Sequence, residues 1–547
     1  AADSVPGTDL GKLRAALGAD LLVAGSCSVT GDGPARLARL EVEVLDARTG
    51  AAVGSSATTG SETHLVDLVS RAGHDLRVAL GLPEATPAQA LGVEASFPAS
   101  PAAQRRYAEG LAQLRLPDPP TAKATLEKAV ALEPKHPMPR TALAEAWSAL
   151  GYADRARAEA RQAAADSAAL PDELRLGVEA RLHEAAKAWT EAATSYQALL
   201  DRHPDDLDSG LRLAAAQVFA GKTNAALVTI EALRKLPAPL RDDARIDLAE
   251  ARARQEQNDF RKQADLAAAG AAKARASGDR LLLARARMLE STALRSLGDA
   301  KGSDAAVDEA RSLYEAVSDR NGSARALEQM SISVFGRGDL EGSRRLLEKA
   351  VDLYRQTGDK AGSARAGANL GNVLLSLGRV AEAERMYDES LKTFRSIGAT
   401  HEAAASLNSI GVAFIKRGDL RKARERTEEA VSLWSGIGRK AFTALALSNL
   451  GEIERHLGNP DEARKLHEEA LALNREVGEK AGVAFDLLQL AEVFLAKGDL
   501  VVTRQRAQES AALQQELGDR LGTAETKLLA AKAFLAEGNA DMARADL

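Results

Sequence analysis

The chain has 547 residues and a formal net charge of -6 spread over 150 ionisable groups of both signs, with 3% aromatics and 27% charged residues. A chain this long exceeds a single compact core, so it divides into domains or extends as repeats. No basic stripe is present to neutralise a phosphate backbone, which argues against nucleic acid as a partner. One cysteine, Cys27, excludes an intrachain disulfide framework and a thiolate zinc cluster. No apolar run approaches the ~20 residues that cross a bilayer, so no direct membrane insertion by this chain is expected.

In chain order, residues 20–60 carry three strand patterns, "DLLVAGSCSV", "ARLARLEVEVLDA" and "AAVGSSATTG", with Gly50 in a turn between the last two. "SETHLVDLVSRAGHDLRVALG" follows as an amphipathic helix with Ser61 as its N-cap and Leu65, Leu68, Val69, Leu76 and Leu80 on one face. Residues 1–82 thus read as a small, truncated α+β domain, and 83–101, broken by four prolines, as a linker.

Residues 102–239 follow a period of about 34. Gly110, Ala122, Ala129 and Pro134, then Ala144, Trp147, Gly151, Ala156 and Ala163, place small residues where two helices of a hairpin approach closely and proline where a helix must stop. Sixteen of the 17 prolines lie at or before Pro239. The region 240–547 is therefore built differently. From Gly278 to Gly538 glycine recurs every 20 residues, with Ser318 as the one exception, and each sits just past an apolar-periodic segment where a left-handed C-cap is needed. Half-repeats are single helices, and the repeat is 40 residues. Leu370, Ile410, Leu450 and Leu490 recur in first helices, each followed by Gly or Ala, while Tyr314, Tyr354, Phe394 and Trp434 recur in second helices. Large and small positions interlock between hairpins, so each repeat completes the core of the next. The expected fold is mostly α: a tetratricopeptide-repeat α-α superhelix, right-handed and elongated, with few long-range contacts, preceded by the small α+β domain.

"NLGNVLLSLG" and "SNLGEIERHLG" resemble the repeats of kinesin light chains and G-protein-signalling modulators. More widely, "LGADLLVAGSCSV", "LDARTG", "LVSRAGHDLRVALG", "YAEGLAQLRL", "LAEAWSALGY" and "HPDDLDSGLRLAAAQ" resemble the C-terminal region of bacterial eukaryotic-like serine/threonine kinases, in which a TolB/FlgO-like domain precedes tetratricopeptide repeats. Similar tails follow winged-helix transcription regulators. The chain begins without Met and ends inside what reads as a second helix, which predicts a piece of a longer protein and an apolar helix face open to self-association. The resemblance implies an extracytoplasmic tail if a membrane helix lies upstream and a cytoplasmic one otherwise.

The chain carries no kinase glycine-rich loop, strand lysine, His-Arg-Asp or Asp-Phe-Gly element, so no catalytic residue is assigned to it. "GDGPAR" at Gly31 lacks the third glycine of a dinucleotide fingerprint and reads as a turn. His456 and His467 fall on different helices with no third ligand and are expected at the surface; no metal or cofactor is expected. Trp147, Trp189 and Trp434 read as core wedges, and Glu428–Glu429 and Glu468–Glu469 as solvated pairs facing Arg424 and Arg464.

What remains is a peptide-binding groove on the first helices, for a protein or extended peptide. Three columns recur beside the small packing residue: Arg325, Gln329, Ile332; Arg365, Asn369, Asn372; Ala405, Ser409, Val412; Leu445, Asn449, Glu452; Phe485, Gln489, Glu492. The middle column is amide or hydroxyl in every repeat, which suits both donating to and accepting from a peptide backbone. Basic residues lead and acidic ones follow, so early repeats should receive acidic side chains and late repeats basic ones.

Overall fold

The computed structural model describes residues 21–31, 36–46, 49–61, 65–115, 119–150, 152–238 and 240–546. The fold is mostly α, an array of tetratricopeptide-type hairpins preceded by one small sheet. It falls into two compact units, Ala1–Gly362 and Ser363–Leu547.

The first unit opens with an antiparallel meander of β1 (Leu21–Thr30), β2 (Leu37–Asp46) and β3 (Ala52–Ser61). Gly50 adopts φ 71° in the β2–β3 turn, where the Asp46 carboxylate accepts the Thr49 N–H at 2.9 Å. Helix α1 (Leu65–Ala79) lies on β2 and β3, burying Leu68 and Ala72 against Ala38 and Val44. Close approach there needs small strand residues: a Cβ on Gly60 would meet Leu68 and Arg71, and one on Gly54 would meet Ala79. Ser61 closes β3 opposite Leu37, and the turn that leads from it into α1, where its expected N-cap role falls, lies outside the described residues. Val69 is also turned outward, 52% exposed, and Ala72 takes the inner place. β1 extends past the helix, leaving Val23 70% exposed on that face and Cys27 open to solvent.

Within 83–101, a helix forms at Pro87–Ala95, so this proline-marked stretch is not wholly extended. Proline supplies the first turn at Pro87, Pro101, Pro119 and Pro137, where its missing N–H costs nothing. The hairpins that follow pack small residues against large ones: a Cβ on Gly110 would lie 2.5 Å from Leu126, and one on Gly210 2.4 Å from Leu233. Trp147 is buried and stacks edge-on with Tyr152, whereas Trp189 is only half-buried and stacks on Phe219 at 4.6 Å. Lys360 reaches to 5.2 Å from the Tyr152 ring, so in this unit residues far apart in sequence do meet.

The 20-residue glycine series holds throughout the 40-residue repeats, with φ between 70° and 84° from Gly278 to Gly538. Ser318 keeps the same left-handed geometry at φ 57°, and Asn258 extends the series one step earlier at φ 56°. Aspartates complete these turns. Asp279, Asp299, Asp319, Asp339 and Asp519 each follow a left-handed residue and accept the N–H three residues on, capping the next helix. Consecutive helices pack on one another, and several first helices, such as Ala244–Glu256 and Arg280–Ser296, also touch the next first helix.

Second-helix aromatics do wedge between repeats. Tyr314 and Tyr354 are 2% and 1% exposed against Gly322 and Gly362 in the first unit; Phe394 and Trp434 are buried likewise in the second. Trp434 donates its indole N–H to His401 Nδ1 at 3.0 Å and packs on Phe442. His467 is not a surface residue: it is fully buried, because its position in the second helix is the one filled by Tyr387 one pair of repeats earlier. Asp486 sits beside it, also fully buried, accepting from Ser448 at 2.6 Å and Asn474 at 2.8 Å. Among the described residues no helix is long and apolar enough to cross a membrane, and no group of three His, Cys, Asp or Glu is placed to hold a metal ion.

Candidate functional site: the first-helix face

First helices carry their large apolar residues inward and leave a second, adjoining stripe to solvent. Three cavities open along this stripe, each between consecutive first helices. This follows from construction: second helices fill the gaps on one side only, so the other side of each first-helix pair stays grooved.

In the second unit, Arg365 and Asn372 are exposed while Asn369, Ser409, Asn449, Gln489, Glu452 and Glu492 are half-buried. In the first unit Arg325 is exposed and Gln329 half-buried. The amide column forms a partial ladder between helices. Gln329 donates to Thr292 Oγ1 at 2.9 Å, and Asn449 donates to Asn408 Oδ1 at 2.9 Å. Asn372 accepts from the Tyr387 hydroxyl at 2.7 Å. Glu492 pairs with Arg455 at 3.5 Å, and Glu452 lies 3.7 Å from His456. Gln329 and Asn449 thus tie neighbouring first helices together, while the Asn372–Tyr387 bond stays within one hairpin.

The last repeats differ. A cavity of about 640 Å³ lies between helices Lys480–Ala496 and Arg520–Ala536, lined by Phe485, Gln489, Glu492, Glu525, Leu528 and Lys532 among others. Phe485 is 40% exposed, and Gln489 Oε1 is buried with no hydrogen-bond donor. A buried acceptor left unpaired is uncommon and points to a missing partner. Three of these residues belong to the expected columns; Glu525, Leu528 and Lys532 continue the face one repeat further and were not foreseen, although Glu525 and Lys532 stand 40 residues after Phe485 and Glu492.

The first unit presents the opposite charge. A cavity of about 210 Å³ is lined by Val218, Phe219, Leu248 and Leu282 with Arg252 and Arg285. Arg285 stands one 40-residue period before Arg325, so the arginine column begins earlier than the five repeats in which it was read. Burial, with the Arg285 and Arg325 charges beside it, holds the Arg252 guanidinium below its ordinary value.

Residues 399–547 match the MalT-like TPR region, residues 362–435 a tetratricopeptide-repeat family, and residues 179–206 another tetratricopeptide-repeat family. No curated protein matches the chain. Among solved structures, the apo form of the quorum sensor NprR from B. thuringiensis is 14% identical, covering 62% of this chain and 99% of that one at a TM-score of 0.47. Aspartyl phosphate phosphatase F from Bacillus subtilis is 14% identical over 68% of this chain and 91% of its own, TM-score 0.42. A Podosopora anserina putative kinesin light chain with nearly identical TPR-like repeats is 15% identical over 36% of this chain and 96% of its own, TM-score 0.32. These likenesses concern the helical-repeat fold alone. The chain carries tetratricopeptide repeats in both of its units.

Proposed function

We propose that this chain is a non-catalytic scaffold whose first-helix face binds an extended peptide or protein segment. The observation that carries this reading is the cavity between Lys480–Ala496 and Arg520–Ala536, where an exposed aromatic, Phe485, and an unpaired buried acceptor, Gln489 Oε1, share one hollow with Glu492, Glu525 and Lys532. An extended strand offers what that hollow lacks: backbone N–H donors and a side chain to cover the ring. In this reading residues 102–239 and 240–547 are two blocks of repeats, and the groove columns from Arg365 to Glu492 within the Ser363–Leu547 unit set the direction of a ligand there by their change of charge.

Panning a randomised peptide library against the chain, then measuring selected peptides by fluorescence anisotropy, tests the proposal. Phe485→Ala and Lys532→Glu should each weaken peptides held by the last repeats by about tenfold, roughly the effect of losing one buried anchor. Recovery of no binding peptide, or unchanged affinity in both variants, overturns it.

On the sequence resemblance described above, we infer further that the scaffold is the regulatory or sensory tail of a bacterial serine/threonine kinase. The support is that strand and helix segments before the repeats resemble those tails as well as the repeats do. Reading the flanking frame tests this: a kinase domain supports it, and a winged helix or neither domain rejects it.

A further inference from the structure

Many arginines of the first unit have an acidic neighbour. Arg234 pairs with Asp247 and Glu250, Arg254 with Glu250, Arg287 with Glu309, and Arg245 with Asp208 at 2.7 Å. Arg252, Arg285 and Arg325 do not: among the described residues none of the three has a carboxylate within 4.0 Å. They are nevertheless neighbours. Arg252 and Arg285 line the same hollow, and the buried phenol of Tyr314 lies within electrostatic reach of all three. Asp319, the one carboxylate that acts on Tyr314 beside them, is engaged in capping Gly322. All three are exposed, and gathering like charges on one face is unfavourable, which an incoming anion relieves.

We propose that Arg252, Arg285 and Arg325, with the adjoining apolar hollow, form an acceptor site for an acidic peptide segment. The inference rests on the peptide-binding reading of the first-helix face but concerns the Ala1–Gly362 unit alone. The hollow, about 210 Å³, is smaller than the ~300 Å³ at which small-molecule sites begin. It suits one aliphatic side chain set against Leu248, Leu282 and Phe219, the last of which is 61% exposed. The arginines stand on separate helices, Ala244–Glu256, Arg280–Ser296 and Arg320–Gly336. Packed helices lie about 8–10 Å apart, and an extended chain advances about 3.3 Å per residue. Carboxylates roughly three residues apart along a strand therefore meet successive guanidiniums, each able to hold a carboxylate through two N–H donors.

A fluorescein-labelled synthetic peptide of alternating Glu-Ala-Leu units, and its twin with Gln for Glu, test the proposal by anisotropy at low salt. The acidic peptide should bind at least about tenfold more tightly than the twin, and the advantage should shrink as salt is raised. Arg285→Glu with Arg325→Glu should abolish it, and Arg252→Gln should reduce it. The arginine variants should melt no lower than the parent, since no ion pair is lost, and Phe485→Ala in the other unit should leave this binding unchanged. Equal binding of the twin, or full binding by the charge-reversed variant, overturns the site; displacement by equimolar inorganic phosphate makes it a small-anion site and overturns the peptide assignment. If library panning yields peptides that ignore the arginine variants, only this inference falls; if it yields none, the scaffold reading falls with it.

Discussion

Gly451 faces the ring of His467 so closely that a Cβ on the glycine would lie 2.5 Å from Nε2. His467 is fully buried and cannot swing to solvent. Gly451→Ala should therefore destabilise the chain by about 1–3 kcal/mol through overpacking. Gly436, at the end of helix Leu420–Gly436 with nothing near its Cβ direction, should gain about 0.5 kcal/mol on the same substitution from reduced unfolded-state entropy. Urea denaturation of the two variants should give opposite signs.

The carboxylate of Asp486 gathers Ser448, Asn474 and, at 3.4 Å, His467 Nδ1 into one dry cluster. Asp486→Ala would leave the amide of Asn474 without this acceptor, at about 1–3 kcal/mol for the unsatisfied group, while the Ser448 hydroxyl keeps the Ala444 carbonyl at 3.0 Å. Asp486→Asn, which keeps one carbonyl oxygen in place, should cost clearly less. Equal losses in chemical denaturation would mean that cavity formation, not polar satisfaction, controls this position.

Much of this was written in the periodicity. The left-handed caps, the buried first-helix leucines and the second-helix aromatics all follow from one 20-residue and one 40-residue spacing, because each hairpin buries its core against sequence neighbours. His467 was misread as a lone polar residue. Its column is otherwise filled by Val307, Leu347, Tyr387, Thr427 and Ala507, all buried, so position outweighs residue type. The arginine site was missed because Arg252 shares no period with Arg285 and Arg325; only the packing of neighbouring first helices brings it to them. The N-terminal sheet shows the same limit, since pattern gives the strands but not how far α1 covers them.

Ser318 holds a left-handed φ of 57° where the other 20-residue positions after it have glycine. Relief of this strain should make Ser318→Gly more stable by about 1 kcal/mol. Gly378→Val, at φ 76°, should cost about 1–2 kcal/mol or more by the same argument. A thermal melt in which Ser318→Gly lowers the transition would contradict the assignment of these turns as strained caps.

Glu133 accepts the backbone N–H groups of Ala99 and Ser100, the two residues before helix Pro101–Arg115. Burial pushes its carboxyl up, but the bonds from Ser100 and Ala99 outweigh that and hold it below the usual range. A depressed folded-state value means the contribution is complete above the unfolded value of about 4.3 and is lost as pH falls through the folded one. Glu133→Gln should therefore lower stability at neutral pH by about 1 kcal/mol and converge with the parent in acid. Parallel stability curves from pH 7 down to pH 2 would remove the carboxylate from this role.

Asn449 and Gln489 occupy the same column one repeat apart but differ in what their side chains already hold. Asn449 is bonded across to Asn408, whereas Gln489 Oε1 is buried and has no donor. Asn449→Ala should accordingly cost about 1 kcal/mol of stability, the usual net value of a neutral side-chain hydrogen bond, whatever it does to binding. Gln489→Ala removes an acceptor that already lacks a partner, so the loss of that group is close to neutral or slightly stabilising. If the groove of the last repeats takes a peptide whose N–H groups satisfy Gln489, the same substitution should weaken peptides selected on that groove by about tenfold, as expected when a buried donor is left unpaired in the complex. The two variants thus separate adhesion between repeats from ligand contact: Asn449→Ala moves the melting temperature, and Gln489→Ala moves affinity without it. A Gln489→Ala protein that binds as tightly as the parent would show that the amide column serves only the solenoid.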